Sequence, residues 1–260
     1  MLSGQFVGRA QVRRAGSPLA MPIWPNLVEL RASSRAGLRF QAKRESELDE
    51  ALFTLAAKLP FAGNGVAVCR EFNGPRGIPD LLATTRYHRQ LSTRNEVEVP
   101  AVTNHSEAAV LAALSQGAGR TPTWIANTCG LSSKVALERL RSLRSKGAAL
   151  SDQGIYRRHP ALEPIGNTYA FEAKVADWGK GLAQALRYLT WADGASIVLL
   201  DPPGNLTRVT DQCRSLGVGL AIEDTWKVRP RIGRPNRGLR LAASESWFQD
   251  FAPHKPSADA

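Results

Sequence analysis

The chain has 260 residues, a net charge of +11 and 43% hydrophobic residues, enough for one large or two modest domains with a real core. No apolar run approaches the length of a membrane-spanning helix, so no membrane partner is expected. Twenty-six arginines outnumber eight lysines, a bias that suits bidentate phosphate contacts and that high-GC coding also produces; the charge points to DNA or RNA first and an anionic surface second.

Residues 1–24 include Arg9, Arg13 and Arg14 but no acidic residue and no secretory-type apolar core. They read as a disordered basic arm, or as sequence upstream of a true start at Met21, rather than a transit peptide. A helix is expected over 45–59, with Leu48, Leu52, Leu55 and Leu59 as its buried stripe. Its carboxylates (Glu45, Glu47, Asp49, Glu50) form a solvated face that complements the helix dipole. An apolar strand at 66–72 leads into the turn Asn73-Gly74-Pro75-Arg76-Gly77. The chain then returns through Ile78-Pro79-Asp80-Leu81-Leu82, and in this hairpin Glu71 and Asp80 lie opposite each other.

The middle of the chain changes character. A helix is expected from His105 to Gly117, a second short helix through Trp124 capped by Thr121 or Thr123, and a third at 133–146 capped by Ser132. The third buries Val135, Ala136, Leu140 and Leu143 and exposes Lys134, Arg139, Arg141, Arg144 and Lys146. A small hairpin at 147–158 carries Arg157 and Arg158 on its outgoing arm.

Residues 168–176 alternate. Tyr169, Phe171, Ala173 and Val175 point to one face of a strand, and Glu172 and Lys174 share the other. Asp177 caps the helix that follows at 178–189, with Leu182, Ala185, Leu186 and Leu189 as its buried stripe. Lys180, Gln184 and Tyr188 fall at i, i+4, i+8 on a neighbouring polar stripe. A strand at 195–201, a helix at 206–216 and a strand at 218–223 continue a mixed α/β sheet. The stretch 229–240 holds five arginines (Arg229, Arg231, Arg234, Arg237, Arg240) among proline and glycine, and reads as a loop or an arm along a nucleic-acid backbone, not a helix. Cys69, Cys129 and Cys213 are too far apart and too few for a disulfide framework or zinc cluster and read as buried free thiols of a reducing cytosol. The four histidines are scattered, each structural or exposed.

Asp80 followed by Glu172-Ala173-Lys174 resembles the PD-(D/E)xK nuclease superfamily, the restriction-endonuclease-like fold, over roughly residues 45–201. Gln184-x-x-x-Tyr188 is similar to the Gln-x-x-x-Tyr signature of its RecB-type members. The resemblance implies a mixed sheet flanked by helices and metal-dependent phosphodiester hydrolysis. Asp80 and Glu172 would be ligands of Mg²⁺ or Mn²⁺, with a further acidic ligand from Glu71 or, less favoured, from the carboxylates of the 45–59 helix. Lys174 would orient or activate the nucleophile, and Gln184 and Tyr188 would support the site. Residues 104–160 resemble a winged helix-turn-helix inserted into this core (25–103 and 161–252), with a disordered tail at 253–260. On that basis Lys134, Arg139, Arg141, Arg144, Arg157, Arg158, Lys180, Arg231, Arg234 and Arg237 are the nucleic-acid-binding candidates.

The expected function is therefore a DNA endonuclease or related phosphodiesterase of the bacterial cytoplasm, associated with the nucleoid. Duplex is favoured, single strands and RNA are also compatible, and a homodimer fits. The alternative is a non-catalytic DNA-binding transcriptional regulator on a nuclease-derived scaffold. A plainer reading makes Glu172–Lys174 an edge-strand ion pair and Pro79-Asp80 turn chemistry. Loops 60–65 and 201–204 also resemble those of amino-methylating DNA methyltransferases. There, Gly204 stands where a base-stacking aromatic is needed, and the glycine loop follows a helix instead of a strand.

Overall fold

The computed structural model describes residues 26–30 and 48–251. The expected basic arm at 1–24, Glu45, Glu47 and the tail at 253–260 lie outside them. The described chain is α/β: a seven-stranded mixed sheet with helices on both faces, joined to a unit of three helices and a hairpin. None of the described helices is long and apolar enough to cross a membrane.

The sheet runs in the order β1 (Leu27–Leu30), β2 (Val66–Arg70), β3 (Leu81–Thr85), β6 (Asn167–Lys174), β7 (Gly194–Leu199), β8 (Gly219–Ile222), β9 (Thr225–Val228). The pairs β1/β2, β6/β7 and β7/β8 are parallel, and β2/β3, β3/β6 and β8/β9 antiparallel. Period-two alternation sends Tyr169, Phe171 and Ala173 of β6 to one face, where Leu48, Leu52, Leu55 and Leu59 pack from α1 (Asp49–Ala57) and its flanks. The opposite face takes Leu182, Ala185 and Tyr188 of α6 (Trp178–Tyr188) and Val209 and Cys213 of α7 (Leu206–Leu216). Loop 60–65 follows α1 and opens β2, the wrong order for a strand–glycine-loop–helix cofactor site.

In the middle unit, α3 (His105–Ala113), α4 (Pro122–Cys129) and α5 (Ser133–Ser145) are capped by Asn104, Thr121 and Ser132. Each cap oxygen accepts a first-turn N–H that has no partner within the helix. The hairpin of β4 (Ala149–Asp152) and β5 (Ile155–Arg158) turns on Gln153 and Gly154 at φ 46° and 79°. Two positive φ values are what a type I′ turn demands. Ala136, Leu140 and Leu143 are buried as expected, but Val135 is only half-buried. Arg139 and Lys146 are not on the exposed face: both are half-buried, and Lys146 Nζ reaches Glu107 Oε2 at 2.6 Å. Of the three free thiols, Cys69 and Cys213 are buried and Cys129 is half-buried.

Two helices were not expected. One is α2 (His88–Asn95); the other is α8 (Arg237–Phe251). The basic stretch 229–240 is therefore irregular only as far as Asn236, whose Oδ1 accepts the Leu239 N–H at 3.0 Å. Arg240 is no part of a free arm: it is buried, and its Nε donates to Asp193 Oδ2 at 3.0 Å. Helix α8 joins the two halves. Ala243 and Trp247 pack on the sheet, while Leu241 enters the cluster of α3, α4 and α5. That cluster also takes Val102 and Leu162 from outside 104–160. Helices α3 and α8 cross at Gly238, where a Cβ would stand 2.9 Å from Ala109 Cα.

Candidate active site

The site forms where β6 passes under α6 and beside the β2–β3 turn. The β3/β6 pairing, continued by the Asp80 N–H to the Phe171 carbonyl at 3.0 Å, sets the position of Asp80. Asp80 Oδ2 then accepts the Ala173 N–H at 2.7 Å. One backbone bond thus fixes the aspartate against the residue between Glu172 and Lys174. The Asp177 side chain starts α6 by accepting the Lys180 N–H at 3.0 Å. Gly181 lets the helix lie close, since a Cβ there would be 3.3 Å from Lys174 Cγ.

Glu172 is fully buried. Its Oε1 accepts Lys174 Nζ at 2.7 Å and also Gln184 Nε2, and its Oε2 accepts the Tyr188 hydroxyl at 2.6 Å. Three protein donors on a carboxylate with about four acceptor positions leave one direction open. Tyr188 also reaches the Ile78 carbonyl at 3.0 Å, tying α6 to the Ile78-Pro79-Asp80 segment. Burial, and after it the Glu172 charge, push the Tyr188 hydroxyl far above the ordinary phenol range, so it remains a neutral donor at working pH.

The five residues expected in the site (Asp80, Glu172, Lys174, Gln184, Tyr188) therefore come together. The apolar stripe of α6 differs from the expected one. Gln184 and Tyr188 are buried with Leu182 and Ala185, Leu189 is half-buried, and Leu186 is 38% exposed. The carboxylate beneath the helix supplies the polar partners that draw those two side chains inward. Lys180 stays on the surface. Glu71 lies opposite Asp80, its N–H donating to the Asp80 carbonyl at 3.2 Å. It does not complete a metal-binding trio with Asp80 and Glu172, because no such group of three or more His, Cys, Asp or Glu forms among the described residues.

A hard divalent cation takes oxygen ligands. Lys174 Nζ, a cation, already lies against Glu172 Oε1 and the Ala173 carbonyl, both at 2.7 Å. The buried Gln184 Oε1 has no hydrogen-bond partner. Two carboxylates, a carbonyl already facing a cation and an orphaned amide oxygen fit Mg²⁺ or Mn²⁺ in kind.

Among the remaining candidates, Lys134, Arg141, Arg144, Arg231, Arg234 and Arg237 are exposed, and Arg139, Arg157 and Arg158 are half-buried. Arg158 Nη2 is engaged by Glu163 at 2.6 Å and Arg157 Nε by the Gly117 carbonyl at 3.3 Å. Sequence reasoning gave Arg120 no role and put Arg240 in the basic arm, yet both line a cavity of about 1130 Å³ with Arg158, Arg234 and Arg237. A surface search for arginines converging from separate segments is the only signal that finds them. Comparison with protein-family models, curated proteins and solved structures found no match for the chain.

Proposed function

We propose that this chain is a metal-dependent nuclease acting on DNA, built as a restriction-endonuclease-like core that carries a winged helix-turn-helix. The observation that carries the reading is the hydrogen bond from the Ala173 N–H to Asp80 Oδ2, which joins Asp80 to the Glu172–Lys174 pair across 93 positions of sequence. Asp80 and Glu172 would hold Mg²⁺ or Mn²⁺, with the Ala173 carbonyl and Gln184 Oε1 as neutral oxygens. The chemistry such a cation supplies when bound is Lewis-acid activation of phosphate and water. Lys174 places an ammonium where it can stabilise charge on an attacked phosphate. Gln184 and Tyr188 hold the Glu172 carboxylate in one orientation, and Tyr188 does so without competing for a proton. The cap of α5, its exposed Lys134, Arg141 and Arg144, and the β4–β5 hairpin support docking of α5 in a major groove.

A second reading, a non-catalytic DNA-binding regulator, draws on one specific observation: Glu172 has no exposed surface and three of its acceptor positions are occupied. Cleavage of labelled duplex and single-stranded DNA with Mg²⁺ or Mn²⁺ separates the two. Wild type should cut, and Asp80→Asn and Lys174→Ala should not while still binding DNA; Lys174→Ala should also melt lower, because it strands the buried Glu172 charge. Tight binding by wild type with no cleavage in either metal would establish the regulator.

A further inference from the structure

The cavity bounded by α3, α4, β5 and the N-terminus of α8 lies at the other end of the sheet from the candidate active site. Asp193 on its wall accepts the Thr168 N–H at 2.7 Å, and β6 from Thr168 to Lys174 spans roughly 20 Å at the usual rise per residue. Five arginines line it (Arg120, Arg158, Arg234, Arg237, Arg240), against two carboxylates, Glu163 and Asp193. That is an excess of three positive charges in one concavity.

Arg120, Arg158 and Arg240 are held in place, while Arg234 and Arg237 are exposed. Arg240 is 5% exposed; its Nε is fixed by Asp193 and its Nη2 by the Ile165 and Gly166 carbonyls at 3.1 and 2.8 Å. Its Nη1 is buried without a partner, as are Arg158 Nε and Arg120 Nε. Buried N–H groups left unsatisfied are costly and call for an acceptor. The acceptor that matches converging guanidinium groups is a phosphate. Beside them Trp124, 39% exposed, carries the Arg120 guanidinium over its ring at 4.4 Å, a platform of the type on which bases stack. The cavity is large enough to admit a ligand of nucleotide size.

We propose that this cavity is a nucleoside-phosphate site, taking either a free nucleotide or the phosphorylated end of a nucleic-acid strand. The arginine wall binds the phosphate and the Trp124–Arg120 pair takes the base. The assignment is independent of the nuclease reading.

The test is calorimetric titration of the full chain at fixed salt with ATP, with a 5′-phosphorylated oligothymidylate and with its 5′-hydroxyl twin. ATP should bind, or the phosphorylated strand should bind at least 10-fold more tightly than its twin; which of these occurs identifies the source of the phosphate. Arg234→Ala/Arg237→Ala, both exposed positions, should weaken that binding at least 10-fold with an unchanged melt. Trp124→Ala should weaken ATP while leaving inorganic pyrophosphate unaffected. Arg208→Ala/Lys227→Ala, exposed positions on α7 and β9 outside the cavity, should leave the binding as it is. The proposal is overturned if ATP fails to bind and the two strands bind alike. It is equally overturned if the Arg234/Arg237 variant binds as wild type, or if the Arg208/Lys227 variant loses as much.

Discussion

Tyr188 and Glu172 share a 2.6 Å hydrogen bond in which the phenol donates to a carboxylate with no exposed surface. The same hydroxyl reaches the Ile78 carbonyl at 3.0 Å, so one side chain braces both the buried charge and the segment that delivers Asp80. Removing it leaves an acceptor of a buried anion without its donor. Tyr188→Phe should therefore lower unfolding stability by about 1.5–3 kcal/mol, the range for hydrogen bonds to charged groups. Urea denaturation at neutral pH measures it. A loss below about 0.5 kcal/mol, the size of an ordinary surface substitution, would mean that the bond does not organise the site.

The crossing of α3 and α8 makes an opposite-sign pair of predictions. Alanine is intrinsically a better helix former than glycine by about 1 kcal/mol. At Gly238 the new Cβ would lie 2.9 Å from Ala109 Cα and 3.1 Å from Ala109 Cβ, atoms that move only if the helices separate. Overpacking of this kind costs about 1–3 kcal/mol, so Gly238→Ala should be net destabilising. At Gly179 only Asp177 Oδ1 comes near, at 3.7 Å, and Gly179→Ala should raise stability by roughly 0.4–1 kcal/mol. Thermal melts of the two variants should move in opposite directions.

The sequence was most legible where each face of an element meets a single environment. The α1 leucines and the alternation of β6 each imply one buried side, and the side-chain caps of α3, α4, α5 and α6 are local chemistry. Helix α8 escapes that logic because its buried surface includes Arg240, Ser244 and Glu245. Their partners, Asp193, the Ile165 N–H and Arg94, lie 47 to 151 positions away. Helix α2 is likewise polar apart from Leu91, with Arg94 as its one buried residue. The charged cluster of the site was readable as motifs, whereas the inward turn of Gln184 and Tyr188 depends on Glu172 standing beneath them. The arginine cavity was invisible because its residues come from four separate segments, and only the fold brings them to one wall.

Glu107 on α3 gives a pH dependence. Burial alone would raise its carboxyl pKa, but hydrogen bonds from Lys146 Nζ at 2.6 Å and Ser142 Oγ at 2.7 Å outweigh it, so the group sits below the usual carboxylate range. A carboxyl with a lowered folded pKa contributes stability that is fully present above its unfolded value, near 4.3, and is lost as pH falls through the folded value. Glu107→Gln should thus be less stable than wild type at pH 7, on the order of 1 kcal/mol because Lys146 is partly solvated. The difference should shrink towards pH 3. Denaturation curves at pH 7 and pH 3 decide it, and a gap that stays constant would assign the effect to packing.

Arg94 and Glu245 form an ion pair with both side chains fully buried, joining α2 to α8. Arg94 donates through Nε and Nη2 to the two Glu245 oxygens at 3.3 and 3.0 Å, and Nη2 also reaches the Pro100 carbonyl at 3.2 Å. Glu245 Oε2 further accepts the Val102 N–H at 3.1 Å, at the entrance to the three-helix unit. Removing one partner strands a buried charge, which costs about 3–5 kcal/mol. Arg94→Met alone should fall in that range, as should Glu245→Leu alone. The double variant should be far more stable than the sum of the two losses, since no charge is then left in the interior and both replacements are apolar. It should still lie about 1 kcal/mol below wild type, because the Val102 N–H loses its acceptor. A double-mutant cycle in urea measures the coupling. Additive losses would show that water reaches the pair and that α8 is held against the three-helix unit by its apolar contacts alone.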